Sequence, residues 1–299
     1  MISIIIPFHN EEESIKPLYE EIRGMFEAYR YDYEILFIDD GSTDESKEKV
    51  KEIMEKDHHI FLHVHKKQFG KGQALQTGLQ HSKGDELVFM DGDLQDDPGD
   101  IPALIQKLHE GNDLINGIRT KRKDNSVIKI YSHIANIVLH RFLHSPFTDI
   151  NCGFKIFKKE ITKDIPFYGN SFRFFPLAVY LKGYKVSEIP VHNRQRKYGK
   201  TKYGMKKLLI GMLDMVTAYF LFRFAERPLH FFGVIGGVFF IIGFLVSLYL
   251  SFERIFFNVL LYRRPALLFG ILMIIVGIQI GMTGIIGELI VYLNKKGNK

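Results

Sequence analysis

The chain has 299 residues, a single cysteine, a net charge of +6 and an isoelectric point near 9.1. That length supports a sizeable core and more than one domain. One thiol, Cys152, excludes an intrachain disulfide and suits a reducing compartment, and mild basicity fits a membrane surface or an anionic substrate as well as nucleic acid. The opening MISIIIPFHNEEE lacks the basic start and long apolar run of a signal peptide.

In chain order, ISIIIPF (2–8) is an apolar run of strand length. EEESIKPLYEEIRGMFEAY (11–29) sets Ile15, Leu18, Ile22 and Phe26 on one helical face. YEILFID (33–39) predicts a second strand. GSTDESKEKVKEIMEK (41–56) predicts a helix that opens with Ser42 and Glu45 at capping-box spacing. IFLHVH (60–65) is a third strand, GQALQTGLQHS (72–82) a helix and DELVFMD (85–91) a fourth strand. PGDIPALIQKLHEG (98–111) is a helix with Asp97 as N-cap and Pro98 at its first position. DLINGIR (113–119) is a fifth strand. Alternation of this kind predicts an α/β domain, a parallel sheet with helices on both faces, over residues 1–205.

The composition then changes. KKLLIGMLDMVTAYFLFRFAERP (206–228) is apolar with basic flanks and Asp214 in its middle, and reads as a helix lying in the interface plane. A third span is the alternative, and Asp214 would be costly at a bilayer centre. LHFFGVIGGVFFIIGFLVSLYL (229–250) and PALLFGILMIIVGIQIGMTGIIG (265–287) carry no charged side chain. A bilayer core needs about 20 apolar residues as helix, so 229–293 reads as a two-helix anchor and 294–299 as a basic tail. Lys206, Lys207, Arg223 and Arg227 precede the pair and Lys295, Lys296 and Lys299 follow it, which puts both ends in the cytoplasm. Arg254, Arg263 and Arg264 in the intervening loop weaken that bias. Glycines 233, 236, 237, 277, 281, 284 and 287 allow close helix packing and raise the expectation of a homo-oligomer through these helices.

In parallel sheets ligands sit at the carboxyl ends of strands. Here four such ends in succession are loaded with polar groups: HNEEE, DDGSTD, KKQFGKG and DGDLQDD. Carboxylates for a hard cation, amides near Gly41, Gly70 and Gly72, and Lys66, Lys67 and Lys71 for an anion are the profile of a nucleotide with a divalent metal. Neither G-x-G-x-x-G after the first strand nor G-x-x-x-x-G-K-[ST] is present.

IIIPFHNEE, FIDDGSTDES, FGKGQALQTGL, GDELVFMDGDLQDDP, DINCGFKIF and RKYGKTK stand in the order and spacing of glycosyltransferase family 2. The chain resembles the polyprenyl-phosphate glycosyltransferase branch of that family, which includes dolichol-phosphate mannose synthases and bactoprenol glucosyltransferases. The resemblance covers about residues 1–205 and implies a GT-A-type nucleotide-binding domain with a mostly parallel sheet, followed here by the interfacial helix and two transmembrane helices. It implies metal-dependent, inverting transfer of a sugar from a nucleotide-sugar donor to a polyprenyl phosphate, at the cytoplasmic face of the inner membrane. UDP is taken before GDP as the nucleotide, and undecaprenyl phosphate as the first acceptor. The partners are then the donor, the lipid phosphate and the bilayer, with no nucleic acid.

Carried over by position, Asp91, Asp93 and Gln95 would hold Mg2+ or Mn2+ against the donor diphosphate. Asp97 is left as a helix cap and Asp96 as a solvated turn residue. Pro7, Asn10 and Glu11 match the first nucleotide loop, and Asp39 and Asp40 would contact base and ribose, a helix-capping turn being the plainer alternative. Lys71 would face phosphate or simply solvent. Asp149 takes the place of an acidic residue beside the acceptor and is counted with Asp93 as catalytic; a lipid phosphate is already an anion and needs little help as a nucleophile, which leaves Asp149 either a base or a group that orients acceptor or sugar. Arg119, Arg196 and Lys202 are candidates for gripping phosphate, or form a basic surface toward anionic lipid. His133 stands where relatives often carry an arginine, a departure that implies an altered phosphate contact or a buried helix histidine. Cys152 reads as a small buried residue.

Competing readings remain. A processive polysaccharide synthase would carry Q-x-x-R-W, and this chain has no tryptophan. A transferase to a non-lipid hydroxyl would need a general base. An inactive membrane-bound scaffold has no need of the aspartates, Gln95, Asp149 or R-x-x-G-x-[ST]-K that are all present.

Overall fold

The computed structural model describes residues 1–120, 145–163, 165, 169–195, 217, 220–221, 224–225, 227–257 and 265–297. His133, Arg196, Lys202 and most of 206–228, Asp214 included, lie outside the described residues. The chain forms two compact units, Met1–Met215 and Val216–Lys299.

In the first unit the apolar runs form strands β1 (Ile2–Phe8), β2 (Tyr33–Asp39), β3 (Ile60–Val64), β4 (Glu86–Phe89) and β5 (Leu114–Thr120). The helices between them are α1 (Ile15–Tyr29), α2 (Ser46–Met54), α3 (Lys71–His81) and α4 (Ile101–His109). Two further strands, β6 (Lys155–Lys158) and β7 (Val186–His192), and helix α5 (Phe175–Leu181) complete the layers. The seven strands run β3-β2-β1-β4-β6-β5-β7. All neighbours are parallel except β6, which is antiparallel to both β4 and β5. The sheet is mostly parallel, as expected, with one inserted antiparallel strand that the sequence alternation did not reveal.

One face of the sheet packs Ile4, Ile6, Phe37 and Val88 against Ile15, Leu18, Ile22 and Phe26 of α1, all fully or nearly fully buried. On the other face Phe89, Phe157 and Phe175 stack edge to face, with centroids 4.8 Å apart for Phe89–Phe157 and 4.9 Å for Phe157–Phe175. The strand order reverses between β1 and β4, so the loops after these strands flank the crevice where such sheets bind ligands.

Two helix starts differ from the sequence expectation. Helix α1 begins at Ile15 because Glu11–Ser14 forms a turn, Ser14 N–H donating to the Glu11 carbonyl at 2.9 Å. Helix α2 begins at Ser46, not in the GSTD turn. Ser42 does not cap it: its hydroxyl accepts from Asn10 N–H at 3.0 Å, while Asp44 accepts from Ser46 N–H at 3.1 Å. Asp97 caps as expected, accepting from Gly99 N–H at 2.9 Å, with a single 3-10 turn (Pro98–Asp100) before α4.

The second unit is an antiparallel helical hairpin, α6 (Pro228–Phe257) and α7 (Pro265–Gly297), of 30 and 33 residues, whose most apolar 18-residue stretches have mean hydropathy 2.5 and 2.3. Only 11% of the most apolar window of each is buried, whereas a soluble core helix would be covered. Both are long and apolar enough to span a bilayer. They touch through glycine. A Cβ on Gly236 would lie 2.6 Å from the Gly277 carbonyl oxygen, and one on Gly243 2.5 Å from that of Gly270. Gly284 and Gly287 meet Phe232 and Pro228 in the same way, so four of the seven glycines singled out in the sequence serve the pairing of α6 with α7.

Candidate functional site

Strand β4 delivers its chain into a tight loop, Asp91–Asp97. Leu94 has φ 60, a left-handed conformation that costs a branched residue about 1–2 kcal/mol. Its side chain is 3% exposed and belongs to the core cluster, which offsets that cost, while its neighbours Asp93 and Gln95 stay partly exposed. Asp93 accepts from Gln95 N–H at 3.2 Å, and Asp91 N–H donates to Asp96 at 3.2 Å.

Asp96 is only 4% exposed and is not the solvated turn residue expected. Burial, with Asp91 and Asp93 beside it, pushes its carboxyl up to about 7. Burial also pushes Asp91 up, but the Lys71 ammonium seated on its carboxylate outweighs this and holds it below the ordinary range. Lys71 lies at the first turn of α3 with its Nζ 5.5 Å over the Phe172 ring. Gly153 closes the far side: a Cβ there would fall 2.9 Å from Asp91 Oδ2.

The loops after β1 and β2 are laced together. Asn10, at φ 57, accepts from Thr43 N–H at 2.8 Å, and Glu11 N–H donates to Ser46 at 2.9 Å. Pro7 sits in β1 opposite Ile38. Asp39 accepts from Ser42 N–H at 2.7 Å. Asp40, 4% exposed, accepts from Phe69 N–H and Gly70 N–H at 2.8 Å each and meets His65 Nδ1 at 3.0 Å. Asp40 thus fixes the backbone that leads into α3 and Lys71.

On the other side of the crevice Arg119, near the end of β5, and Asp149 form a bidentate pair, Nε to Oδ2 and Nη2 to Oδ1 at 2.8 Å each. Burial disfavours the Arg119 charge, but the Asp149 hydrogen bonds outweigh it and raise its pKa. Two residues that the sequence reading missed hold this pair in place. Glu188 of β7 accepts from Thr148 N–H at 2.7 Å and Thr148 Oγ1 at 2.6 Å. Asn116 of β5 donates to Glu188 at 2.9 Å and to the Asp149 carbonyl at 2.9 Å. The signal was a polar side chain inside an apolar strand, which a fold tolerates only when it is hydrogen-bonded. A third, Lys155 of β6, is 2% exposed, and burial pushes it down to about 8. Cys152 is buried, as expected, and its thiol is pushed up to about 12 by that burial.

These residues fit a divalent cation. Among the described residues no three His, Cys, Asp or Glu side chains form a complete cage. Two aspartates and an amide, with water and phosphate oxygens for the rest, are the way Mg2+-type ions are held. Lys71 shows that a positive charge is accommodated at Asp91, and Asp96 lies buried beside Asp91 and Asp93.

A family model described as Glycosyl transferase family 2 matches residues 3–183. Dodecaprenyl-phosphate galacturonate synthase of Rhizobium johnstonii is 32% identical over 294 residues, 97% of this chain and 87% of that protein. Undecaprenyl-phosphate 4-deoxy-4-formamido-L-arabinose transferase of Enterobacter sp. is 31% identical over 291 residues, 97% and 88% of the two. Among solved structures, glucosyl-3-phosphoglycerate synthase from Mycobacterium tuberculosis, with Mn2+, UDP-glucose and phosphoglyceric acid, superposes at TM-score 0.59 with 19% identity over 73% of this chain and 79% of that one. Mannosyl-3-phosphoglycerate synthase from Rubrobacter xylanophilus gives TM-score 0.59 at 17% identity, over 73% and 72%. These two establish the GT-A-like fold, and the full-length relatives extend past it through the apolar hairpin. The six motifs, the laced strand-end loops and these likenesses agree: the chain is a glycosyltransferase of family 2 and belongs to its polyprenyl-phosphate branch.

Proposed function

We propose that this glycosyltransferase moves a sugar from a nucleotide-sugar, UDP-linked before GDP-linked, onto a polyprenyl phosphate at the cytoplasmic face of the inner membrane, with inversion at the anomeric carbon. The observation that carries this reading is that likeness to two polyprenyl-phosphate relatives runs through 97% of the chain, taking in both the aspartate loop and the hairpin.

Asp91, Asp93 and Gln95 would hold Mg2+ or Mn2+, which when bound neutralises the diphosphate and stabilises the charge of the departing nucleotide. Asn10, Glu11, Asp39 and Asp40 line the nucleotide end, Asp40 acting through the loop it holds. Lys71, released from Asp91, turns to the donor phosphates. Asp149 uses both carboxylate oxygens to fix Arg119. A guanidinium carries five N–H donors, so most of the Arg119 fork stays available to a phosphate. Asp149 is therefore an orienting group, since an anionic acceptor needs no base. Arg196, Lys202 and His133 are the remaining candidates for the acceptor phosphate. Holding donor and lipid phosphate at one interface lowers the barrier through proximity.

The test is a transfer assay on the purified full chain with undecaprenyl phosphate, Mn2+ or Mg2+, and labelled UDP- and GDP-sugars, UDP-galacturonic acid included. Label entering an acid-labile lipid from one donor, and its loss in Asp93→Asn, is the expected result. Intact nucleotide binding without transfer from any donor would overturn the lipid acceptor. A fully active Asp93→Asn would overturn the metal assignment.

A further inference from the structure

Three consecutive residues at the exit of β7 lie along the aspartate loop. His192 N–H donates to Asp100 at 2.6 Å, and its Nδ1 meets the same carboxylate at 2.8 Å. Asn193 forms an isolated antiparallel bridge with Asp96. Arg194 N–H donates to the Gln95 carbonyl at 2.8 Å. The Arg194 guanidinium then spans two acids: Nη1 reaches both oxygens of Glu21 at 2.9 and 2.7 Å, and Nη2 reaches Asp97 at 2.8 Å. None of this is required by the sheet, whose last strand ends at His192. Nor does it bury much: Arg194, Asp97 and Glu21 side chains are 32%, 27% and 36% exposed. Ion pairs that exposed contribute little to stability. They do fix direction, because a planar fork on two carboxylates has one geometry. In sequence, the segment RKYGKTK starts two residues beyond Arg194.

We infer that Arg194 is a positioning residue that couples the two substrates, clamping the chain that leads to the acceptor-phosphate segment onto the loop that carries Asp93 and Gln95. The inference rests on the function proposed above. A loop fixed by metal and nucleotide presents Gln95 and Asp97 in the arrangement that Arg194 grips. Such a coupling is reciprocal: donor binding tightens the acceptor by the same factor as acceptor binding tightens the donor.

The experiment uses the full chain in lipid nanodiscs and measures four dissociation constants: Mn2+ with UDP (or with GDP, if the transfer assay selects it), with and without undecaprenyl phosphate, and undecaprenyl phosphate with and without the Mn2+ nucleotide. In the unaltered protein each ligand should tighten the other by the same factor, at least about fivefold. Arg194→Met should bring both factors to about one and raise the acceptor KM more than it lowers kcat. Its melting temperature should stay within about 3 °C of the parent. Asp97→Asn keeps the helix cap and loses only one arm of the clamp, so it should show an intermediate factor; it decides the question if Arg194→Met does not fold. Full coupling in both variants would overturn the inference, as would equal, independent binding in the unaltered protein. Binding of the Mn2+ nucleotide with no binding of undecaprenyl phosphate would instead overturn the proposed function, and the inference with it.

Discussion

Asp96 and Gly153 show how single residues set the chemistry of the loop. A buried carboxyl beside two others keeps its proton to higher pH than one in water, and Asp96 is pushed up to about 7. Since the folded protein then binds this proton more tightly than the unfolded chain, Asp96 costs stability progressively as pH rises from about 4 to 7. Thermal melts in chelator across that range should therefore fall for the parent and run flatter for Asp96→Asn. Asp96→Ala leaves the Asp91 N–H without its acceptor and should cost about 1–3 kcal/mol at pH 5. Gly153→Ala would force a methyl against Asp91. Displacement of a reacting group by about 1 Å can cost 100-fold, so transfer should drop by roughly that factor with little change in melting temperature. The sequence made Asp91 and Asp93 legible as a pair. It could not say which way Asp96 points, because that follows from Leu94 burying itself in a left-handed turn. Gly153, just before β6, and Glu188 of β7 reach the site from far along the chain, and nothing near Asp91 in the sequence names them as its neighbours.

At the scale of elements, β1 and β2 were legible to the residue, since an apolar run bounded by polar loops fits only a buried strand of that length. Strand β6 was not legible. It has four residues, KIFK, and its antiparallel place between β4 and β5 is set by pairing with residues about seventy positions earlier. The hairpin was legible as two spans from hydropathy alone, but its contact face was not, because glycines occur on more than one side of each helix. The structure separates them. Gly243→Ala drives a methyl into the backbone of α7 and should destabilise the hairpin by about 1–3 kcal/mol in a detergent melt. Gly237→Ala meets nothing within 4 Å and should be neutral or slightly stabilising.

The whole molecule joins a nucleotide-binding unit, Met1–Met215, to a membrane-directed unit, Val216–Lys299. A 30-residue helix is about 45 Å long against a hydrocarbon core of about 30 Å, so both ends of α6 extend beyond the apolar slab. With Cys152 replaced by serine, a cysteine at Glu253 should react with an impermeant maleimide applied outside intact cells. One at Lys295 should react only after the membrane is opened, and the reverse pattern would invert the proposed orientation. The Arg194 clamp also bears on biosynthesis. Its contact with Glu21 joins residues 173 positions apart. Chains emerge from the ribosome N-terminus first, so the early strands can pair long before this arginine exists. A nascent chain therefore lacks this clamp until most of its first unit has been made, with the membrane helices still to follow. The enzyme comes into working order only as it is being delivered to the lipid.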